Sequence, residues 1–512
     1  MVKKIVSCGI VGVEARIVEI ETDVSYGLPC MEMVGNLGRE VREAKERVRV
    51  ALKNVGITLP PQRITVNLSP ADLRKEGTGY DLPIALSVLE AMGAICNDAL
   101  RDVLVVGELG LSGEIKGVRG TLPMVLEAKR QGIMKMLVPK ENENEAKVIS
   151  GIKIIGVETI EEAMTFISTN VWDLLEESAG FCEMNDMEEN TEDFADIIGQ
   201  ENIKRAMVIA ASGFHNVLLS GPPGSGKTMA AKRLAGILPG MAKEECIEVT
   251  GIYSIAGLLS EKNSLYTKRP FVAPHHCVTA KAMTGSGRIP TPGLISRAHK
   301  GVLYLDEVAH FSSEALEVLR QPLEDKKITI ARSSGSYDFP ADFMLVASMN
   351  PCPCGFYPDR NRCKCSEVMI KRYMGKISGP VMDRIDLCVE LLPVGIELLQ
   401  NSDRKKERRE KNGEYRKMIM SARRRQEERF FASGYRFNSE IKPGDIEKYC
   451  ELGRKEREKM KELYQKLGLS ARAYHRMLKV ARTIADIEES DAILTEHLME
   501  AACYRPATEY WL

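Results

Sequence analysis

Residues 217–235 read Val217-Leu-Leu-Ser-Gly-Pro-Pro-Gly-Ser-Gly-Lys-Thr-Met-Ala-Ala-Lys-Arg-Leu-Ala235, and they carry the clearest structural signal in the chain. The apolar start predicts a short buried strand, whereas the part from Met229 onward favours a helix. Between them lies the pattern G-x-x-x-x-G-K-[ST], in the strand–loop–helix setting that this pattern requires. Glycines in such a loop let backbone N–H groups curve around phosphate oxygens, and the following helix presents its positive end. The run therefore predicts a phosphate-binding loop (P-loop) inside an α/β domain.

The side chains of this loop have distinct predicted roles. Lys227 reaches the β- and γ-phosphates of a nucleoside triphosphate, and Thr228 ligates Mg²⁺. We therefore predict that ATP and Mg²⁺ bind here. The predicted nucleotide-binding residues are Gly221, Pro222, Pro223, Gly224, Ser225, Gly226, Lys227 and Thr228.

Two further apolar runs predict strands that end in polar side chains. The first, residues 301–307, ends at Asp306 and Glu307, and the second, residues 343–349, is followed by Asn350. In parallel α/β sheets such strand ends form the ligand site, so we expect Asp306 on the Mg²⁺ side and Glu307 as the base. The alternative for the acids is a surface pair that caps the next helix. The alternative for Asn350 is a turn residue.

Length and composition indicate a folded protein of several domains. The chain has 512 residues, of which 44% are hydrophobic and 28% charged. This length is too great for one hydrophobic core and predicts three domains. No apolar run approaches the roughly 18 residues that span a bilayer, so we expect no membrane association. Thirteen cysteines are too sparse for a disulfide scaffold, and a reducing cytoplasmic setting is expected.

Changes in composition along the chain suggest where the domains begin and end. Residues 1–168 mix strand and helix patterns, and residues 169–195 form an acidic, Lys- and Arg-free linker. Strands and helices alternate over residues 196–395, as in a parallel α/β sheet, and residues 396–512 are helical. The predicted fold class is therefore α/β multi-domain with a C-terminal helical domain.

A basic run lies in the helical part. Residues 404–429 hold twelve Lys or Arg against five Glu. Such a run is usually a solvated helix face with i,i+4 ion pairs, but its excess positive charge also suits contact with a DNA backbone.

Longer motifs make the central domain resemble the magnesium-chelatase-type AAA+ ATPases, and within them the YifB/ComM branch. The resemblance covers nearly the whole chain. The matching runs are Arg269-Pro-Phe-Val-Ala-Pro-His-His276, Pro292-Gly-Leu-Ile-Ser-Arg-Ala-His299, Leu319-Arg-Gln-Pro-Leu-Glu324, Ser348-Met-Asn-Pro-Cys-Pro-Cys-Gly355, Ser378-Gly-Pro-Val-Met-Asp-Arg-Ile-Asp-Leu387 and Leu469-Ser-Ala-Arg-Ala-Tyr-His-Arg-Met-Leu-Lys-Val480.

The resemblance implies further site residues. Asn350 would be sensor 1 and Arg472 sensor 2, with Arg476 as the alternative. Arg384 would be an arginine finger acting on ATP bound by a neighbouring subunit, which implies a ring, typically a homo-hexamer. Without the family context, the favoured interpretation is that Arg384 forms an intradomain salt bridge with Asp383 or Asp386.

The first domain resembles the Lon-protease-like fold. The resemblance rests on Lys75-Glu-Gly-Thr-Gly-Tyr-Asp-Leu-Pro-Ile84 and Val106-Gly-Glu-Leu-Gly-Leu-Ser-Gly113. An active Lon-type site needs a Ser–Lys dyad, but Gly79 stands in the serine position and the lysine position falls near Leu122. We therefore expect a non-proteolytic α+β module for assembly or DNA binding.

Four cysteines cluster after the third strand. Cys352, Cys354, Cys363 and Cys365 form two C-x-C pairs, which can fill a tetrahedral Zn²⁺ site. An Fe–S cluster and free thiols remain alternatives. His275 and His276 are expected to be structural, because neighbours in a strand point to opposite faces.

The family resemblance also implies two insertions that face nucleic acid in relatives, over residues 271–292 and 327–339. Lys281 and Arg288 on the first, and Lys327 and Arg332 on the second, are candidate phosphate contacts. The predicted function is an ATP-driven DNA motor for branch migration or translocation in recombination or natural transformation. The alternative is the ATPase component of a metal-porphyrin chelatase, although the resemblance implies that chelatase subunits lack the front domain. A protease is disfavoured by the missing dyad.

Overall fold

The structure is a computed structural model of the full chain. It describes residues 3–95, 100–169, 199–259, 264–332, 335–391 and 405–505, together with positions 172, 175–178, 194 and 197. Most of the predicted linker, the predicted boundary near residue 395 and Arg404 lie outside the described residues. Within the described ranges, no helix has the length and apolar character needed to cross a bilayer.

The first domain alternates strands and helices. Its strands are β1 (Lys3–Val11), β2 (Glu14–Ser25), β3 (Cys30–Val34), β4 (Arg63–Ser69), β5 (Val103–Val105), β6 (Glu108–Leu109), β7 (Ile115–Lys116), β8 (Lys135–Pro139) and β9 (Lys153–Val157). Its helices are α1 (Arg39–Asn54), α2 (Asp81–Ala91), α3 (Thr121–Arg130), α4 (Glu143–Ala146) and α5 (Ile160–Ser168).

Seven of these strands form one mixed sheet in the order β3-β4-β2-β1-β5-β8-β9. The pairs β1–β2 and β2–β4 are antiparallel, and the remaining pairs are parallel. Buried residues of α1, α2 and α5 pack on one face, and those of α3 and α4 pack on the other. Trp172, which lies in the predicted linker, is buried in the first of these two cores. The mixed sheet with helices on both faces shows that this domain combines α and β structure, while the α+β Lon-like fold stays a prediction.

The second domain contains the P-loop. Its strands are β10 (Val217–Ser220), β11 (Phe271–Val272), β12 (Val302–Leu305), β13 (Lys327–Arg332), β14 (Gly335–Pro340), β15 (Met344–Met349) and β16 (Leu387–Glu390). Its helices are α6 (Glu201–Gly213), α7 (Lys227–Ile237), α8 (Lys243–Ile255), α9 (Ala280–Thr284), α10 (Leu294–Arg297), α11 (Ser313–Glu317), α12 (Arg320–Asp325), α13 (Glu367–Met374) and α14 (Gly379–Met382).

Five strands of this domain form a parallel sheet in the order β11-β12-β15-β10-β16, as the alternating pattern predicts. Strands β13 and β14 form a separate antiparallel hairpin. In the sheet, Ser220 pairs with Met349, and Leu305 pairs with Ala347. Because the strands run parallel, the residues that follow each of them meet at one edge of the sheet.

The C-terminal part is helical, as predicted. It comprises α15 (Lys405–Phe430), α16 (Ile446–Tyr449), α17 (Arg454–Lys466), α18 (Ala471–Ile487) and α19 (Thr495–Cys503). Buried residues of α15, α18 and α19 join those of α6 and of one face of the parallel sheet in a single apolar core. Two buried hydrogen bonds tie the parts together: Gln426 Nε2 donates to Ser212 O (3.0 Å), and the His215 imidazole bonds Thr483 Oγ1 (2.8 Å).

The first domain is tied to the second through a buried carboxylate. Glu145 of α4 accepts hydrogen bonds from Leu122 N (2.7 Å) and from the hydroxyl of Ser254 on α8. A backbone bond from Gly120 N to Ser254 O (3.3 Å) lies beside it. A buried carboxylate is stable only when it is hydrogen-bonded, so these contacts fix the relative position of α3, α4 and α8.

The buried pair Arg47–Asp81 supplies a stability prediction. Arg47 donates to both Asp81 oxygens (2.7 and 2.9 Å), and the Asp81 side chain is fully buried. Arg47→Met leaves this carboxylate without its cation and should destabilise the first domain by about 3 kcal/mol. Urea unfolding followed by Trp172 fluorescence, in a Trp511→Phe background, measures the loss.

The matched control is Arg49→Met on the same helix. Arg49 makes an exposed ion pair with Glu46, worth about 0.5 kcal/mol at most. Equal unfolding midpoints for the two variants would contradict the structural role of Arg47.

Candidate functional site

The P-loop joins β10 to α7, as the sequence predicts. Gly224 and Gly226 have φ values of 77° and 89°, a left-handed conformation that favours glycine. The ammonium group of Lys227 lies over the loop and donates to Gly221 O (2.7 Å) and Pro222 O (3.0 Å). The lysine is buried, and this burial lowers its pKa, while the negative charges of the acids after β12 act in the opposite direction. The loop thus holds a positive charge beside backbone N–H groups at a helix start.

The end of β12 lies against the P-loop. Asp306 Oδ2 accepts a hydrogen bond from Thr228 Oγ1 (3.1 Å), and Asp306 Oδ1 accepts one from Ser348 Oγ (2.5 Å) and one from Tyr304 OH (2.9 Å). Burial raises the pKa of Asp306, but these three hydrogen bonds outweigh it and keep the pKa below its usual value. Asp306 is therefore ionised at neutral pH. A carboxylate and a hydroxyl side by side fit the oxygen ligands that Mg²⁺ prefers.

Tyr304 and Ser348 are parts of the site that the sequence analysis missed. Tyr304 OH also lies 3.3 Å from Thr228 Oγ1 and 3.2 Å from Ser348 Oγ, and burial raises its pKa to about 12. The phenol is therefore a permanent hydrogen-bond donor. Both residues lie inside apolar-looking strands, and only the parallel pairing of β12 with β15 brings them to Asp306.

Glu307 adopts an unusual backbone conformation. Its φ is 51°, in the left-handed region that costs a non-glycine residue about 1 kcal/mol or more. Its N–H donates to Ser348 Oγ (3.1 Å), which helps to hold this conformation. The side chain is exposed, unlike that of Asp306. The two adjacent acids therefore point to different environments, one toward the P-loop and one toward solvent.

Asn350 joins the same group. Its Oδ1 accepts a hydrogen bond from Lys227 Nζ (3.0 Å), so the residue after β15 contacts the P-loop lysine directly. The structure thus brings five predicted residues to one edge of the sheet: Lys227, Thr228, Asp306, Glu307 and Asn350.

The arginines predicted as arginine finger and sensor 2 do not belong to this group of five residues. Arg384 pairs with the Glu324 carboxylate and donates to Pro380 O (2.7 Å), so it makes an intrachain salt bridge, but with neither aspartate that the sequence suggested. Arg472 is exposed on the first turn of α18. Arg476, one turn later, is 3.8 Å from Asp386 Oδ1 and is mostly buried.

The four cysteines converge, whereas the strand geometry assumed for the two histidines is wrong. All four sulfur atoms lie within 4.8 Å of one another. His275 and His276 were expected on opposite faces of a strand, but β11 ends at Val272 and the centroids of their tilted imidazole rings are 4.1 Å apart. The error came from extending the strand too far. The structural role of the two histidines stays a prediction.

The candidate phosphate contacts differ in their surroundings. Lys327 forms an exposed ion pair with Asp338 (2.8 Å), and Arg288 lies 4.0 Å from Glu76 of the first domain. Lys281 and Arg332 are exposed, and among the described residues no carboxylate pairs with either of them. The hairpin that carries Lys327 and Arg332 is confirmed as β13–β14.

Much of the described basic charge on α15 is paired. Carboxylates pair with four of its arginines, Arg423, Arg424, Arg425 and Arg429. Arg423 also stacks on Phe437, 3.7 Å from its ring centroid. Two of these pairs join residues four apart, as expected for a solvated helix face, and the other two reach Asp491 and Asp486 outside the helix.

A cavity of about 960 Å³ lies next to the P-loop, on the face of the sheet that carries Leu218 and Cys388. The start of the P-loop, the loop after β15 and the end of α19 all line it. Lys227, Thr228 and Asp306 do not line it, so it is distinct from the phosphate position.

Ser348→Ala tests the hydrogen bonds around Asp306. The variant removes one donor to the carboxylate, and nucleotide binding in the presence of Mg²⁺ should weaken about tenfold. Binding in EDTA should not change, because the P-loop itself is intact. Titration with a fluorescent ATP analogue under both conditions measures the difference.

Ser7→Ala is the control for this prediction. Ser7 is buried in β1 of the first domain, and its hydroxyl finds no hydrogen-bond partner in the described part of the chain. An Mg²⁺-dependent affinity in Ser348→Ala equal to that of this control would exclude a role for Ser348 at the metal side.

Comparison with protein families supports the sequence-based assignment. The family described as "Magnesium chelatase, subunit ChlI" matches residues 193–398. That described as "Subunit ChlI of Mg-chelatase" matches residues 20–142, and "Magnesium chelatase, subunit ChlI C-terminal" matches residues 409–505.

Individual relatives extend over nearly the full chain. "Competence protein ComM" of Haemophilus influenzae is 41% identical, with 96% of this chain and 95% of that protein covered. YifB of Escherichia coli, described as uncharacterized, is 39% identical with the same coverage. A magnesium-chelatase 38 kDa subunit of Cereibacter sphaeroides is 31% identical over 31% of this chain and 52% of its own length. The chain therefore belongs to the YifB/ComM family of magnesium-chelatase-type AAA+ ATPases.

Proposed function

We propose that this protein is an ATP-hydrolysing ring motor that acts on DNA, in branch migration or translocation during recombination or natural transformation. The observation that carries the proposal is the assembled site at the edge of the parallel sheet, in a chain 41% identical to a protein named for competence. Both parts are needed, because a nucleotide site alone does not specify what the motor moves.

The proposed roles follow from the contacts. The P-loop amides and Lys227 bind the phosphates of ATP, and the lysine exchanges its bonds to loop carbonyls for phosphate oxygens. Thr228 and Asp306 hold Mg²⁺, which supplies positive charge against the phosphates when bound. Glu307, exposed next to Asp306, orients and deprotonates the attacking water. Asn350 connects this end of the site to Lys227 and senses the γ-phosphate.

In a ring of subunits, the adjacent subunit supplies further positive charge to the phosphates of ATP. We propose Arg384 as the arginine finger of a homo-hexamer, acting on the ATP of the adjacent subunit. Within one chain the Arg384 side chain is only 10% exposed, whereas that of its partner Glu324 is 58% exposed, so the carboxylate end of the pair reaches the surface. Arg472, exposed on the first turn of α18, is the proposed sensor 2, since Arg476 is already engaged with Asp386.

The nucleotide site does not identify the substrate that the proposed motor moves, and two candidates compete. The family model that matches residues 20–142 is described by the same chelatase subunit, so the front domain does not separate DNA from a porphyrin. The coverage supports DNA over a porphyrin, because the chelatase subunit matches 31% of this chain and the competence protein matches 96%. Lys281 and Arg332 on the two insertions are exposed, pair with no carboxylate in the described ranges of the chain, and so favour a polyanion.

Mixing two inactive variants tests the arginine finger. Lys227→Ala cannot bind phosphate productively, and Arg384→Ala cannot serve its neighbour, so each alone should lack ATPase activity. In mixed rings, an intact P-loop meets an intact Arg384 at some interfaces, and partial ATPase activity should return. Phosphate release after subunit exchange measures the recovery, and mass photometry confirms that both variants assemble.

The control is a double variant that carries both changes. Mixed with Arg384→Ala, it supplies no intact Arg384 and should restore nothing. If the first mixture also stays inactive although mixed rings form, Arg384 does not act between subunits.

The DNA substrate is tested by salt dependence with paired variants. Forked DNA should stimulate the ATPase, and a porphyrin should not. Arg332→Ala should lower the slope of log affinity against log salt by about 0.9, because one phosphate contact is lost. Lys327→Ala, on the same hairpin, is the matched control and should leave the slope unchanged, since Asp338 already neutralises Lys327.

DNA that neither binds nor stimulates at low salt would overturn the DNA assignment. Stimulation by a porphyrin instead would support the chelatase alternative.

A further inference from the structure

The segment between β15 and α13 folds without helix or strand. Residues 350–366 contain only turns and extended backbone, yet Cys352, Cys363 and Cys365 in this segment are buried. Loops of this length in a compact domain need a source of order other than regular hydrogen bonding. The four cysteines of the segment, Cys352, Cys354, Cys363 and Cys365, lie at its centre and are here called the cysteine cluster.

The sulfur atoms of the cysteine cluster lie close enough together to share one metal ion. The Sγ–Sγ distances are 3.3 Å for Cys352–Cys354, 3.7 Å for Cys352–Cys363 and 3.6 Å for Cys354–Cys363, and Cys365 Sγ lies within 4.8 Å of the other three. A Zn²⁺ ion bound by four thiolates at about 2.3 Å places its ligands about 3.8 Å apart. Three of the sulfurs therefore have separations close to those that one zinc ion imposes, and the fourth is near enough to complete the set.

The same spacing disfavours the two alternatives. In an Fe–S cluster the four cysteines are divided among two or four iron atoms joined by inorganic sulfide, which holds thiolates on different irons further apart than one shared ion does. Four free thiols, in contrast, are weak hydrogen-bond partners and have no reason to converge in a polar loop. The nearby residues support convergence: Tyr357 N donates to Cys352 Sγ (3.4 Å), an interaction typical of a thiolate ligand.

We propose that the cysteine cluster binds one structural Zn²⁺ ion through four thiolates. Binding converts the thiols to thiolates with release of their protons to solvent, and it involves no change of oxidation state. All four positions are filled by protein, so the ion has no open site for catalysis. This inference does not depend on the proposed function.

The position of the cluster gives the ion a role beyond local stability. The loop that it closes packs on the P-loop, since a Cβ added at Gly355 would lie 2.6 Å from Pro223 Cδ. The cluster begins two residues after Asn350, which contacts Lys227. It ends at Cys365, immediately before Ser366, whose hydroxyl caps α13 by accepting a bond from Met369 N (3.3 Å). The ion thus links the end of β15, the P-loop and α13, and it fixes where Asn350 lies.

Metal content of the purified full-length protein tests the proposal. Mass spectrometry of the wild type, prepared without added metal, should find about one zinc per chain. Cys363→Ser should lose the zinc and melt at a lower temperature. Cys450→Ser, a change at a buried cysteine of the C-terminal helices outside the cluster, should keep the zinc.

A second measurement does not rely on any variant folding. Growth with Co²⁺ in place of zinc should give the visible absorption typical of tetrahedral Co²⁺ with thiolate ligands. A wild type that holds neither zinc nor cobalt, that carries iron with sulfide absorption, or whose four cluster cysteines react freely with a thiol reagent, would overturn the proposal. Loss of zinc in Cys450→Ser as well as in Cys363→Ser would also overturn it, because the ion would then not belong to the cluster.

Discussion

The parallel register of β10, β12 and β15 is the constraint on which the candidate site depends. Ser220 pairs with Met349, and Leu305 pairs with Ala347, so Gly221, Asn350 and Asp306 emerge at the same edge of the sheet. A slip of one residue in either pair would turn alternate side chains to the opposite face. The register is secured by burial, because both faces of these strands are covered by apolar cores. Packing of the sheet therefore determines the geometry of the polar edge.

The polar edge of the sheet combines a buried cation, Lys227, with an acid that is kept ionised, Asp306. Lys227 sits among carbonyl oxygens, where its charge is partly desolvated and its pKa is lowered. Asp306 receives hydrogen bonds from Ser348, Tyr304 and Thr228 that favour the carboxylate. Hydrogen bonds within the chain thus hold both groups in place. The strained backbone at Glu307 is maintained by the same Ser348 hydroxyl.

Local sequence patterns predicted the main residues of this site but not the hydrogen bonds that connect them. The P-loop, the two acids and Asn350 follow from short motifs whose spacing reflects a strand and the loop after it. Ser348 and Tyr304 could not be found in this way, because their role comes from strand pairing rather than from their own neighbours. The adjacent imidazoles of His275 and His276 show the converse error, since a strand assumed to continue past Val272 gave the wrong side-chain directions. Ion pairs between distant residues, such as Arg384–Glu324, likewise depend on tertiary packing.

The first domain contacts the elements through which we propose that the second domain meets DNA. The β1–β2 turn lies against the β13–β14 hairpin, where a Cβ added at Gly12 would be 3.5 Å from Asp338 O. Glu76 of the first domain approaches Arg288 of the other insertion. An isolated two-stranded hairpin is only marginally stable in water, so it needs a surface to hold its direction. The first domain provides that surface. We therefore propose that the first domain contributes to the proposed motor by fixing the position of the cationic hairpin relative to the P-loop.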